Sequence, residues 1–265
     1  MLALINKLLL DFFENEKIKY FASLEACSCT LLYPAKLPEY TSSVVFFAIP
    51  YFVRDNKQRN ISLYAVPRDY HLYIKELSER FEAMRLSRGL SFEYRFFADN
   101  SPFSERICAE KCGIGKRGKN GVIITPEYGS FVFIGSICLS HNVSISHTAE
   151  KFNSDLCENC EKCISACPMH SGKCDECLSA ITQKKKLCEN QAEIIASHPI
   201  KWGCDICQLV CPYNKDIPDT PIEFFKQYRI PFLTESILDA MTDEEFSARA
   251  YSWRKREVIK RNLLL

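Results

Sequence analysis

Seven of the 15 cysteines in this chain fall into two runs that each end in proline, Cys157-x2-Cys160-x2-Cys163-x3-Cys167-Pro168 and Cys204-x2-Cys207-x3-Cys211-Pro212. This spacing is the pattern that holds a pair of [4Fe–4S] clusters, and no other feature restricts the fold as tightly. A cubane needs four thiolates converging from different directions. Three cysteines spaced by two residues wrap a tight loop around three corners, and the fourth ligand comes from elsewhere. In two-cluster ferredoxins the cysteine before the proline serves the other cluster. That logic groups Cys157, Cys160 and Cys163 with Cys211, and groups Cys204 and Cys207 with Cys167. The second set is one thiolate short, and either Cys174 or Cys177 in the connecting segment can complete it. Paired Cys-x2-Cys motifs also build closed zinc sites. Zinc does not require the four-cysteine prolyl form, so clusters are the expectation, and a disulfide framework fits less well still.

The 265 residues, 47% hydrophobic and 25% charged, suffice for a large domain beside a small one. The opening run, residues 1–13, is apolar but interrupted by Lys7 and Asp11. It is too short to span a bilayer, lacks a small-residue cleavage site and reads as an amphipathic first helix. The expected location is therefore the cytoplasm, with no membrane association, where cysteines serve metals more often than disulfides. A net charge of +1 leaves room only for local contact with nucleic acid.

Periodicity predicts helix over residues 1 to about 30, a buried strand over Ser43–Pro50 and a helix from Tyr70 to about Gly89. A strand over Tyr94–Phe97, a helix over Ser104–Cys112 and strands over Val122–Thr125 and Phe131–Gly135 follow. The expected domains are residues 1–150, a cysteine-rich region over 151–220 and a mostly helical tail over 221–265. The tail carries Arg254, Lys255, Arg256, Lys260 and Arg261, and no fixed-period repeat is evident. Cys27, Cys29, Cys108, Cys112, Cys138 and Cys188 fit no cluster pattern, and buried packing explains most thiols of this kind.

A two-cluster module alone is too small to stabilise itself easily, so the chemistry is expected in the N-terminal domain. There Phe97–Arg106 leaves a strand, places Asp99 at its end, turns at Pro102 and enters a helix. Strand ends in α/β folds are where ligands bind. The glycine-rich basic loop Gly113–Gly121 follows. Its backbone could approach a phosphate or amide group, or could simply turn between a helix and a hairpin. Its glycine spacing is not that of a nucleotide-binding fingerprint.

Taken in order, these segments resemble the epoxyqueuosine reductase family. Tyr64-Ala65 through Asp69-Tyr70-His71 is similar to the family's Tyr-Ala-x-x-x-Asp-Tyr-His. Asp99 through Glu105-Arg106 resembles Asp-x-Ala-Pro-x-x-Glu-Arg, with Ser101 replacing alanine. Gly113–Asn120 resembles the Gly-x-Gly-x-x-Gly-Lys loop, and Gly129-Ser130 to Gly135 the family's Gly-Ser-x-x-x-x-Gly strand. Cys177-Leu178-Ser179 and Gly203–Pro212 resemble its later cysteine motifs, which points to Cys177 as the missing ligand and leaves Cys174 spare. Phe246-x-x-Arg249 and Arg261-Asn262-Leu263 are similar to the family's tail, beyond which longer members add a helical-repeat domain that helps bind tRNA.

The resemblance implies an α+β protein: a nitroreductase-like α/β cobalamin-binding domain, then a bacterial two-[4Fe–4S] ferredoxin-like domain and a short helical tail. It implies reduction of epoxyqueuosine to queuosine in tRNA, with cobalamin fed by an external low-potential donor such as ferredoxin or flavodoxin. Asp99 corresponds to the general acid, which desolvation in a closed pocket would keep protonated. Asp69, His71, Arg106, Gly115, Gly118 and Lys119 correspond to positions near cofactor or substrate. The same cofactor layout also occurs in reductive dehalogenases, and a substrate-free electron carrier would need the clusters alone.

Overall fold

The run Ser43–Pro50 (β2) is buried along its whole length, as expected of a continuous β-branched and aromatic strand covered on both faces. It is the middle strand of a five-stranded sheet, in a computed structural model that describes residues 1–55, 57–148, 157–169 and 176–265. The other strands are Tyr20–Glu25 (β1), Tyr94–Ala98 (β3), Val132–Leu139 (β6) and Ser146–His147 (β7), in the order β3-β6-β2-β1-β7 and all antiparallel. A two-stranded hairpin of Lys116–Arg117 (β4) and Ile123–Ile124 (β5) stands apart from it.

Alternation along β2 divides its side chains between two apolar layers. Val44, Phe46 and Ala48 join Phe103, Cys108 and Ala109, the last two on the short helix Glu105–Lys111 (α3). On the other side the Phe47 ring lies 5.4 Å from Phe13 of the first helix, Leu2–Asn15 (α1), and 6.2 Å from Phe96. Phe12 meets Phe81 of the helix Tyr70–Ser87 (α2) at 5.0 Å, edge to face. Each such ring contributes about 2 kcal/mol by leaving water. Gly135 pairs with Phe47 across the ladder, and a Cβ there would stand 2.5 Å from the Phe47 ring. The glycine is therefore required by a close approach.

The expected helix to residue 30 is corrected by the structure. Helix α1 stops at Asn15, Lys17 takes a left-handed φ of 56°, and β1 begins at Tyr20. Phe21 and Ala22 prolong the apolar run of the helix, but pairing with β2 and stacking of Phe21 on Phe13 at 4.4 Å give them a better use as strand.

These elements belong to a unit formed by residues 1–51, 73–160 and 213–222, and a second unit comprises 52–72, 161–212 and 223–265. The second unit carries the helices Lys162–Ser165 (α4), Leu178–Thr182 (α5), Glu189–Ser197 (α6), Ile206–Leu209 (α7), Glu235–Ala240 (α8), Asp243–Ser247 (α9) and Arg256–Leu264 (α10). Its core gathers Ile61, Val66, Trp202, Leu238, Tyr251 and Ile259. Beside Trp202 lies a buried carboxylate, Asp205, which accepts from the Arg59 guanidinium, the Ser62 hydroxyl and the Leu63 N–H at 2.7 Å. Three donors on a buried anion make a satisfied site.

The basic residues of the tail are mostly consumed inside this unit. Arg256 donates to the carbonyls of Leu238, Met241 and Thr242 at 2.6, 2.8 and 2.9 Å, closing the ends of α8 and the turn into α9. Lys260 pairs with Asp239 at 2.7 Å, and Arg261 donates to the carbonyls of Lys184 and Lys185. Asn262, fully buried, bonds the carbonyls of Thr182 and Lys201. The tail is thus an integral wall of the second unit.

Asp205→Ala removes the acceptor of three donors and strips Arg59 of its carboxylate. Urea unfolding of the variant should show a loss of about 3 kcal/mol, and a loss under about 1 kcal/mol would mean that Asp205 is not the anchor its bonds suggest.

Candidate functional site

The two cysteine runs fold into the same turn. In the first, Ile164 and Ser165 bond back to the Glu161 carbonyl, Ala166 to Lys162 and Cys167 to Ile164. In the second, Gln208 and Leu209 bond to Asp205, Val210 to Ile206 and Cys211 to Gln208. Helix α4 packs on α7, so the segments bearing Cys163 and Cys207 are neighbours. Cys167 and Cys204 both pack against the cluster of Met169, Leu178, Ile181 and Ile195. Cys177 opens α5, with its carbonyl accepting from Ala180 and Ile181, and its thiol is exposed.

Burial pushes the Cys204 thiol up to about 12, with the carboxylate of Asp205 and the thiols of Cys177 and Cys207 adding to the effect. The mutual influence puts Cys177, Cys204 and Cys207 in one neighbourhood. A buried thiol such as Cys204 stays protonated unless positive charge is supplied, and iron would supply it, so the donor chemistry fits a cluster. Of the other expected set, Cys157 and Cys160 lie in the first unit and Cys163 and Cys211 in the second. Cys174 lies outside the described residues, among which no three His, Cys, Asp or Glu side chains form a group able to hold a single metal ion.

Asp99 stands at the end of β3 with a left-handed φ of 55°, and its side chain is exposed. The backbone doubles back at once, the Asn100 N–H reaching the Ala98 carbonyl and the Ser101 N–H the Asp99 carbonyl, each at 2.7 Å. A strap from the N-terminal region grips the turn. Leu32 and Tyr33 both donate to the Pro102 carbonyl, Ser104 donates to that of Thr30, and Lys36 bonds the Asn100 side chain. The desolvated acid in this segment is Glu105, the first residue of α3. Burial pushes its carboxyl up to about 8, with a further push from the Asp99 charge. Its Oε1 atom is buried and has no hydrogen-bond partner.

Arg106 points elsewhere, donating to the Gly121 carbonyl at 2.8 Å. Gly115 and Gly118 are explained by the hairpin: a Cβ at Gly115 would stand 2.5 Å from the Ile124 carbonyl oxygen, and one at Gly118 2.8 Å from the Asn120 side chain. Lys119 is exposed and reaches the Glu158 carbonyl at 3.3 Å. In the second unit the Asp69 carboxylate accepts from the His71 N–H and contacts its ring nitrogen, both at 2.9 Å. Sequence reasoning passed over Glu105 and Asp205, although both lie inside motifs it quoted. Cys108, expected as packing, is fully buried, and the neighbouring Cys29 thiol and the Thr30 N–H at 3.4 Å pull its pKa down.

Residues 32–100 match the family model described as epoxyqueuosine reductase QueG, DUF1730. The epoxyqueuosine reductase of Listeria monocytogenes is 34% identical over 212 residues, which cover 74% of this chain and 54% of the relative. That of Synechocystis is 31% identical over 229 residues, 78% of this chain and 75% of the relative. A crystal structure of selenomethionine-labelled epoxyqueuosine reductase superposes with a TM-score of 0.75 at 22% identity, covering 99% of this chain and 80% of that one. Another, determined with an epoxyqueuosine-modified tRNA-Tyr stem loop, gives 0.77 at 23% identity, covering 97% and 80%. The mixed helix-and-strand fold is therefore shared with this class of reductase structures. The chain belongs to the epoxyqueuosine reductase family, and it spans about half the length of the curated relatives from Listeria and Bacillus that it matches.

Because Glu105 titrates near 8 in the folded chain and near its ordinary 4.5 in the unfolded one, the folded state holds the extra proton between those values. Stability should fall as pH rises through that window, by up to about 1 kcal/mol per unit, and Glu105→Gln should flatten the slope. Denaturant midpoints measured from pH 5 to 8 check this, and an identical slope in both proteins would assign it to other groups.

Proposed function

We propose that this chain is a cobalamin-dependent iron–sulfur reductase that converts epoxyqueuosine to queuosine in tRNA. The observation that carries the reading is the pair of identically bonded cysteine turns in a chain of this family. The ligand sets are Cys157, Cys160, Cys163 and Cys211 for one cluster and Cys167, Cys177, Cys204 and Cys207 for the other. We assign residues 1–150 to the nitroreductase-like cobalamin-binding region, 151–220 to the ferredoxin-like region and 221–265 to the tail. The bound cofactors supply low-potential electrons, delivered one at a time from an external donor such as ferredoxin or flavodoxin in the cytoplasm.

Opening the epoxide and releasing its oxygen as water consumes two electrons and two protons. Asp99 is the group that holds a proton for that oxygen, set at the end of β3 by its left-handed turn. Support comes from its position in the motif, and from a Bacillus subtilis relative whose structure was determined with an aspartate-bearing catalytic loop swung out of the active site. Asp69, His71, Arg106, Gly115, Gly118 and Lys119 remain the residues that the family pattern puts near cofactor or substrate. Contact with RNA falls to the tail residues that the fold leaves outward. Trp253 is 57% exposed with the Arg254 guanidinium 3.7 Å from its ring, and Lys255 is exposed beside them. An aromatic face and cations are what a single-stranded loop needs.

The test is anaerobic assay of the reconstituted chain, with cobalamin and a strong reductant, on epoxyqueuosine-containing tRNA by mass spectrometry. Conversion is expected, and Asp99→Asn should lower turnover at least ~100-fold while keeping both cofactors. Tight cobalamin binding without conversion would defeat the substrate assignment. In the same preparations Cys177→Ala should lower iron from about eight to about four per chain, whereas Cys174→Ala should keep it. The opposite result would exchange the two cysteines.

A further inference from the structure

We propose that Cys29 and Cys108 form a dithiol modification site, which a small thiol oxidant closes into a disulfide that joins the strap of residues 28–36 to helix α3. The pair lies outside both cluster motifs and does not depend on the reductase reading. Helix α3 grips the strap on both sides of Cys29. Lys111 donates to the Ser28 carbonyl at 3.3 Å and to the Thr30 hydroxyl at 3.0 Å. The Thr30 N–H donates to the Cys108 sulfur at 3.4 Å, and that thiol reaches the Thr30 carbonyl at 3.8 Å. The Thr30 nitrogen and the Cys29 Cα share one peptide unit, so the Cα stands within about 6 Å of the Cys108 sulfur. Disulfides span Cα atoms about 4.4–6.8 Å apart, which puts the bridge within reach of side-chain rotation and a small shift of the strap. Cys29 already packs against the apolar cluster that contains Cys108.

The two thiols have complementary parts. Cys29 is partly exposed and is the one that an oxidant meets. Cys108 is completely buried, and the Cys29 thiol, the Thr30 N–H and the Lys111 ammonium all favour its thiolate, the nucleophile of disulfide formation. With an azo oxidant such as diamide, the Cys29 sulfur adds to one nitrogen of the N=N bond and its proton passes to the other. The Cys108 thiolate then attacks the Cys29 sulfur, the S–N bond breaks, and the hydrazine leaves with the proton that Cys108 gave up. Two thiols lose two electrons and two protons, and the azo group gains them. Competing thiols are less well placed. Cys112 follows Cys108 by one helical turn, and burial pushes it up to about 12. Cys138 on β6 is fully buried and is likewise pushed up to about 12. Cys27 is exposed and turns its thiol to the Glu25 carboxylate at 3.6 Å. The bridge would close a covalent ring around bonds that already tie the strap to the Asp99 turn: Leu32 and Tyr33 to the Pro102 carbonyl, Ser104 to that of Thr30, and the Leu31 pairing with Phe103.

The experiment treats the full, cluster-loaded chain with one equivalent of diamide without oxygen, alkylates the remaining thiols and maps unreduced peptides by mass spectrometry. A peptide pair linked through Cys29 and Cys108 is expected, and dithiothreitol should release it. The linked pair should disappear in Cys29→Ser and persist in Cys27→Ser and Cys112→Ser, three changes that leave the buried Cys108 in place. Amide hydrogen exchange reads the consequence for the strap. Exchange at Leu32, Tyr33 and Ser104 should slow about tenfold or more in the oxidised wild type and stay unchanged in diamide-treated Cys29→Ser. Separate alkylation of Cys29 and Cys108 after treatment, or a bridge from either one to Cys27, Cys112 or Cys138, would overturn the site. A Cys29–Cys108 bridge that leaves the three amides exchanging as before would overturn its role in holding the strap.

Discussion

A single buried carboxylate organises the second cysteine run. Asp205 sits between Cys204 and Cys207, and its oxygens are fixed by the Arg59 guanidinium, the Ser62 hydroxyl and the Leu63 N–H. Its own carbonyl then accepts from Gln208 and Leu209 and starts the short helix on which Cys207 rides. A four-residue helix has no stability of its own, because nucleation costs more than one turn returns. The turn persists because its first residue is bonded on both side chain and backbone. In the first run Glu161 occupies the same place, exposed, with the same backbone bonds. One turn is thus held by the protein's interior and its counterpart by backbone bonding and by packing on α7.

The same economy appears at the end of β3. Exposed side chains at a strand end ordinarily sample several rotamers, and a backbone in the left-handed region costs about 1 kcal/mol or more for an aspartate. Here the strain is met by bonds from two directions: the turn's own backbone, and the strap through Pro102 and Asn100. Two carboxyls thus stand six positions apart in sequence, Asp99 exposed and Glu105 with its Oε1 buried.

How much of this the sequence disclosed follows from the kind of constraint involved. Cysteine spacing is a covalent pattern and was legible outright, as were β2 and α2, whose apolar periods are long and whose boundaries carry a proline and a glycine. Strand β1 was not, because Tyr20–Glu25 has neither a glycine nor a proline ahead of it, and only its partner strand distinguishes it from a continuing helix. Gly115 and Gly118 read as a ligand loop because close approach to a ligand and close approach to the Ile123–Ile124 strand demand the same missing Cβ. Glu105 and Asp205 were hidden for a deeper reason. Burial of a carboxylate is set by what packs over it, and nothing in the letters Glu-Arg or Cys-Asp-Ile-Cys states that.

The basic tail shows the same ambiguity in charge. Five cations within eight residues invite an electrostatic reading, since each neutralised phosphate adds to affinity for nucleic acid. Arginine, however, carries five donors in a rigid fork, and helix C-termini offer unsatisfied carbonyls that such a fork can close. Arg256 closes those of Leu238, Met241 and Thr242, and Arg261 those of Lys184 and Lys185, each within 3 Å. These bonds join α10 to segments distant in sequence, so the cations do the work of a hydrophobic contact in a helix whose mean composition is polar. A phosphate would have to displace satisfied carbonyls to use them. On the function proposed above, the surface left for RNA is small and aromatic, centred on Trp253, with Arg254 laid across the indole. Such a surface selects for unstacked bases more than for backbone charge.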